Sequence, residues 1–209
     1  MLLSIWMRWG LIVGAGCVLW LLLTGPKQLL GWDAGQLGMA LLVASAWGLL
    51  YAVSQMPREA LERSASPAEW KARIGAGFTS IAMIYFLSKM SLFNDATILH
   101  NPHANAVGRN LLMLLIAWTI LSEVLASRWK GAVEADERDR EIAALAAGWG
   151  RGALIFCIMG IAVMLGFPPA HTLEWVTPLM IGNLLVFALM WGWLCEYVAT
   201  LLYYRRDRQ

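Results

Sequence analysis

Three histidines carry the most reactive chemistry in this sequence. His100 and His103 lie in Leu99-His100-Asn101-Pro102-His103, with Asp95 upstream, and His171 lies near Glu174. Imidazoles beside carboxylates suit zinc or copper(II), and a His-x-x-His spacing can present two ligands to one ion. Two readings follow: an outer-face metal site built by His100, His103 and His171, or ordinary polar loop residues beside lipid headgroups. The second is favoured. Lys89, Glu123 and Glu196 form the other candidate set. Each falls inside an apolar run, where a charge is costly and tends to pair, to neutralise or to face a wet cavity. Glu123 and Glu196 fall at similar depth, so together they would suit a proton or cation site, with Arg8 or Arg151 as counter-charge. The plainer reading, also favoured, is that each reaches a nearby interface by snorkelling.

Other chemistry is weakly represented. No Gly-rich phosphate loop and no His-Glu-x-x-His run occurs. Ser80, Ser88 and Ser122 belong to no serine–histidine arrangement. Cys17, Cys157 and Cys195 lack Cys-x-x-Cys spacing and read as small buried hydrophobes. The 11 methionines form no continuous track.

The elements that position these residues are apolar. Of 209 residues, 59% are hydrophobic and 14% charged, against about 25% charged in soluble domains. Mean hydropathy is +0.60. Lipid tolerates this surface where water would not. Six stretches, at about 5–24, 34–53, 74–92, 108–126, 152–167 and 178–201, approach the length needed to cross a bilayer. The fifth is short and is expected to start earlier, near Gly148. The first run follows Arg8 as a signal peptide would, but no small-x-small cleavage site follows and residues 25–28 read as a turn, so it is kept as a span. Short connections make the first two and the last two spans antiparallel hairpins.

Thirteen of the 16 Lys and Arg fall at the N-terminus, in the second and fourth gaps and in the tail; Lys27, Lys89 and Arg109 fall on the other side. The positive-inside rule then puts both termini in the cytoplasm. The expected fold is all-α: one integral membrane domain over 1–209, a polytopic six-transmembrane-helix bundle with cytoplasmic connectors at 54–73 and 127–151. The basic residues belong to topology, and no nucleic-acid partner is expected.

Both connectors are expected to extend helices beyond the lipid. Ser66-Pro67-Ala68-Glu69 is a capping box with proline at the first helical position, leading into the third span. Residues 132–147 form the second extension, in which Asp136 and Arg140 can pair and Ile142, Leu145, Ala146 and Trp149 share a face. Of the 12 tryptophans, Trp6, Trp9, Trp32, Trp70, Trp129, Trp149 and Trp175 fall at interfaces. Trp20, Trp47, Trp118, Trp191 and Trp193 fall deeper and either pack helices together, the favoured reading, or line a ligand cavity. Small-residue stripes at Ala40/Ala44/Gly48/Ala52, Gly10/Gly14 and Gly148/Gly152 permit close helix approach.

The segment Asp136-Glu137-Arg138-Asp139-Arg140-Glu141-Ile142 resembles an Asp-Glu-Arg-Asp stretch in small uncharacterised bacterial multi-pass membrane proteins. The resemblance implies a bacterial inner membrane and supplies no catalytic assignment. The leading functional expectation is a noncatalytic accessory or scaffold protein of a larger membrane complex. Its partner is another membrane protein or a second copy, with Asp136, Arg138 and Arg140 as a docking surface. The alternatives are a small-molecule or ion transporter using Lys89, Glu123 and Glu196, and an outer-face metal-binding sensor or enzyme holding zinc or copper.

Overall fold

Long runs of leucine, alanine and methionine without internal proline favour helix, and helix satisfies every backbone polar group where water is absent. A computed structural model describes residues 14, 16–18, 20–23, 28–29, 32–54, 66–90, 102–129, 137–169 and 176–208. The described chain is all-α apart from one short hairpin, in which β1 (Gln28–Leu29) pairs antiparallel with β2 (Trp32–Asp33). Five helices follow: α1 (Ala34–Ser54), α2 (Pro67–Lys89), α3 (Pro102–Trp129), α4 (Glu137–Gly166) and α5 (Pro178–Asp207). Residues 14, 16–18 and 20–23 are helical too. Among the described residues, four segments are long and apolar enough to cross a membrane: Gly35–Ser54, Asn105–Val124, Glu137–Gly166 and Pro178–Asp207. They match the second, fourth, fifth and sixth expected spans. The third expected span is helical within α2 but is diluted by Gly75, Gly77, Thr79, Ser80 and Ser88. The first falls largely outside the described residues.

The chain forms two compact units, Met1–Ile74 with Ile116–Glu134, and Gly75–Leu115 with Ala135–Gln209. The division falls within α2, after Ile74, and within α3, after Leu115.

In the first unit, the β1–β2 hairpin reverses the chain between the helical residues of 14–23 and α1, as the short connection predicts. Met39, Leu42, Ala46, Leu50 and Val53 make the buried stripe of α1, at steps of three and four residues. Gly38 lets the chain close at this end: a Cβ there would stand 2.9 Å from Leu22 Cγ. The start of α2 has the expected cap. Ser66 Oγ accepts from the Glu69 amide at 3.3 Å, and Pro67 opens the helix. Glu69 is buried and pairs with Arg73 one turn on, and the Arg73 guanidinium lies 5.0 Å from the centre of the Trp70 ring.

In the second unit, α4 and α5 run antiparallel, so the hairpin expected of the last two spans is present. Helix α4 is one unbroken 30-residue helix, about 45 Å long at the α-helical rise. The charged connector from Glu137 onward and the fifth span are thus a single element, and it starts well before Gly148. Glu137 and Asp139 lie in its first turn, where acidic side chains favour the helix dipole. Phe167-Pro168-Pro169 follows its end and cannot continue it. Thr177 caps α5 by accepting from the Met180 amide at 3.1 Å, and Arg205 and Arg206 suit its last turn. Phe86 of α2 and Phe187 of α5 stack at 5.3 Å between ring centroids.

Candidate functional site

Two helices can approach closely only where neither carries a Cβ at the crossing. Gly150 of α4 and Gly192 of α5 meet that condition. A Cβ on Gly150 would stand 2.8 Å from Glu196 Cβ and 3.0 Å from the Gly192 carbonyl oxygen; one on Gly192 would stand 3.1 Å from Leu154 Cβ. The buried residues of α4 are Ile142, Ala146 and Gly150, one four-residue row. The face grouped as Ile142, Leu145, Ala146 and Trp149 is therefore divided. Ile142 and Ala146 pack, while Leu145 and Trp149 are exposed.

This crossing lies off the small-residue stripes expected to permit close approach. Gly148 and Gly152 each have open space where a Cβ would stand. The intervening Gly150, on another side of the helix, makes the contact. The Ala40/Ala44/Gly48/Ala52 stripe is exposed along its length, with open space at Gly48. Gly14 is likewise open, and Gly10 lies outside the described residues.

Above the crossing, polar groups join the ends of α4 and α5. The Tyr204 hydroxyl donates to Asp139 Oδ1 at 2.6 Å, and Tyr204 is buried. Arg138 pairs with Asp207; both side chains are about half exposed, so this ion pair is worth roughly 0.2–1 kcal/mol. The Trp149 indole N–H donates to the Tyr203 hydroxyl at 3.0 Å. Between these ties lies a cavity of about 340 Å³ lined by Arg138, Glu141, Ile142, Leu145, Tyr203, Arg206 and Asp207. Because Tyr204 is buried and its acceptor is a carboxylate, the Tyr204–Asp139 bond should be the strongest of the three ties. Tyr204→Phe is expected to cost about 1.5–3 kcal/mol, and much less in an Asp139→Asn background. A double-mutant cycle on the dodecyl sulfate unfolding midpoint checks this; equal costs in both backgrounds would remove the bond from the account.

The expected site residues are placed unevenly. Arg138 is committed to Asp207 within the chain, Arg140 is exposed, and Asp136 lies outside the described residues. Glu123 is exposed on the part of α3 in the first unit. Glu196 is half-buried beside Gly150 in the second unit. Lys89 is the half-buried last residue of α2. Arg151 is exposed, and Arg8 lies outside the described residues.

His100 and His171 lie outside the described residues. His103 does not belong to a loop: Pro102 starts α3, which puts His103 in the first helical turn, with its side chain outside the description. Among the described residues, no group of three or more His, Cys, Asp or Glu is placed to hold a metal ion.

Two further expectations change. Cys17, read as buried, is exposed, while Cys157 and Cys195 are half-buried free thiols. Of the deep tryptophans, Trp118 is buried at 2% exposure, whereas Trp20, Trp47 and Trp191 are 54%, 56% and 38% exposed. In lipid an exposed indole carries no penalty of the kind it would in water.

The sequence reading missed Gly150, Gly192, Tyr203, Tyr204 and Asp207. A signal was available for the glycines: both stand between bulky residues, in Trp149-Gly150-Arg151 and Trp191-Gly192-Trp193. Comparison with known proteins adds no relative: no family model, no curated protein and no solved structure matches the chain.

Proposed function

We propose that this chain is a noncatalytic accessory or scaffold subunit of a larger membrane complex, in a bacterial inner membrane with both termini cytoplasmic. The observation that carries the reading is the exposed Ala40/Ala44/Gly48/Ala52 stripe on α1. Lipid gains little from a row of small residues. A second helix gains close backbone approach and the dispersion contacts that come with it. Trp47 and Tyr51, both exposed and 5.9 Å apart between ring centroids, border the stripe and would flank an incoming helix. The chain's own glycine crossing is already occupied by the α4–α5 pair, which leaves the α1 stripe for a partner.

A photo-crosslinking residue in place of Gly48, compared with one in place of Phe156, tests this in native membranes. Phe156 is 78% exposed on α4 and serves as the lipid-facing control. The expected result is one stoichiometric protein adduct at position 48, lost on Ala44→Leu, with lipid adducts only at position 156. Lipid adducts at both positions would overturn the reading. Adducts only to a second copy of the chain would replace it with a homo-oligomer.

A further inference from the structure

The cavity between the ends of α4 and α5 has an uncommon charge distribution. Arg138 and Asp207 cancel one another. That leaves Glu141 on α4 and Arg206 on α5, opposite charges on opposite walls. Neither side chain makes an ion pair or hydrogen bond among the described residues. The rest of the lining is amphipathic: Ile142 and Leu145 form an apolar wall, and Tyr203 offers a hydroxyl.

From that wall the exposed surface continues through Leu145 to Trp149 and down the apolar length of α4. The Trp149–Tyr203 pair, two rings hydrogen-bonded through their polar edges, suits the border of hydrocarbon and headgroup. A ligand fitting this place carries a cation and an anion a few atoms apart and an apolar tail that leaves along the helix.

The geometry points to a binding site for a glycerophospholipid with a primary amine on its phosphate headgroup. Arg206 takes the phosphate, for which a guanidinium offers a matched pair of donors. Glu141 accepts from the ammonium. The acyl chains lie outside the cavity along Leu145 and Trp149. The cavity is open to the surface, so it can take the headgroup while the acyl chains remain outside. A purely anionic lipid would satisfy Arg206 and leave Glu141 facing a like charge. A quaternary amine would satisfy the charge at Glu141 without an N–H to donate. This site is separate from the α1 docking face and does not depend on it.

Native mass spectrometry of the full chain in mild detergent, titrated with defined lipids, tests the site. Phosphatidylethanolamine should bind at least about ten-fold more tightly than phosphatidylglycerol, the lower end of the increment expected of one added hydrogen bond to a charged group. Glu141→Gln should abolish that preference, Glu141→Asp should retain it, and Arg206→Gln should weaken binding of both lipids. Glu141 and Arg206 are exposed, so these variants should keep the parent helix content by circular dichroism. Equal binding of the two lipids to the parent, or a preference that survives Glu141→Gln, would overturn the proposal. Glycerophosphoethanolamine, which lacks acyl chains, should fail to displace the bound lipid. Displacement by it at equal concentration would assign the site to a soluble phosphoamine and overturn the lipid assignment.

Discussion

Valine in place of Gly150 is expected to destabilise the α4–α5 pair by about 3 kcal/mol, at the upper end of ordinary overpacking. The size follows from what the new side chain meets. At 2.8 Å from Glu196 Cβ and 3.0 Å from the Gly192 carbonyl oxygen, a single Cβ is already too close. One of the obstructing groups is backbone, which has no rotamer to change. The helices must separate, and separation also stretches the Tyr204–Asp139 hydrogen bond and the Arg138–Asp207 pair farther along.

Gly148→Val and Gly152→Val supply the control. They gain the same intrinsic helix propensity as Gly150→Val, and their Cβ positions are open. Both should stay within about 0.5 kcal/mol of the parent. The dodecyl sulfate midpoint followed by near-ultraviolet circular dichroism reads all three. Equal shifts for the three glycines would mean that the crossing does not hold the pair together.

Trp118→Ala should produce the second large effect. Trp118 is 2% exposed on α3, so its removal leaves a cavity among packed side chains. In water-soluble cores a buried Trp→Ala change costs about 3–5 kcal/mol, part transfer and part cavity. Within a bilayer the transfer part falls away because lipid tails are as apolar as the core, and lost packing remains. We therefore expect about 2 kcal/mol, below the soluble figure. Trp47→Ala, at a position 56% exposed, should change stability by less than about 0.5 kcal/mol. The two substitutions remove the same side chain from apolar runs that look alike in sequence. A comparable loss at both positions would show that burial does not separate them.

Composition alone determined that the described chain is built around membrane-length apolar helices, because an unbroken apolar run in lipid satisfies its own backbone only as a helix. Local chemistry determined the start of α2 as well, through Ser66 and Pro67, and the expected start of the last span coincides with Pro178. Pro102, read as part of a loop, instead starts α3, and Pro168 bars the continuation of α4. Each is a contact or a missing N–H within one turn, so a few adjacent residues suffice to read it. The unbroken run of α4 through charged and apolar halves was only partly legible, since a helix does not change its backbone where its solvent changes.

The tertiary structure alone decided which side of each helix packs. In lipid, both faces of a helix can be apolar, so hydrophobic periodicity loses the contrast that marks the buried side in water. Trp118 and Trp47 are therefore indistinguishable in sequence, as are Gly150 and its neighbours Gly148 and Gly152. The cavity between α4 and α5 was out of reach for a further reason. Glu141 and Arg206 are far apart along the chain, and only the glycine crossing, by setting the register of the two helices, brings them to one site.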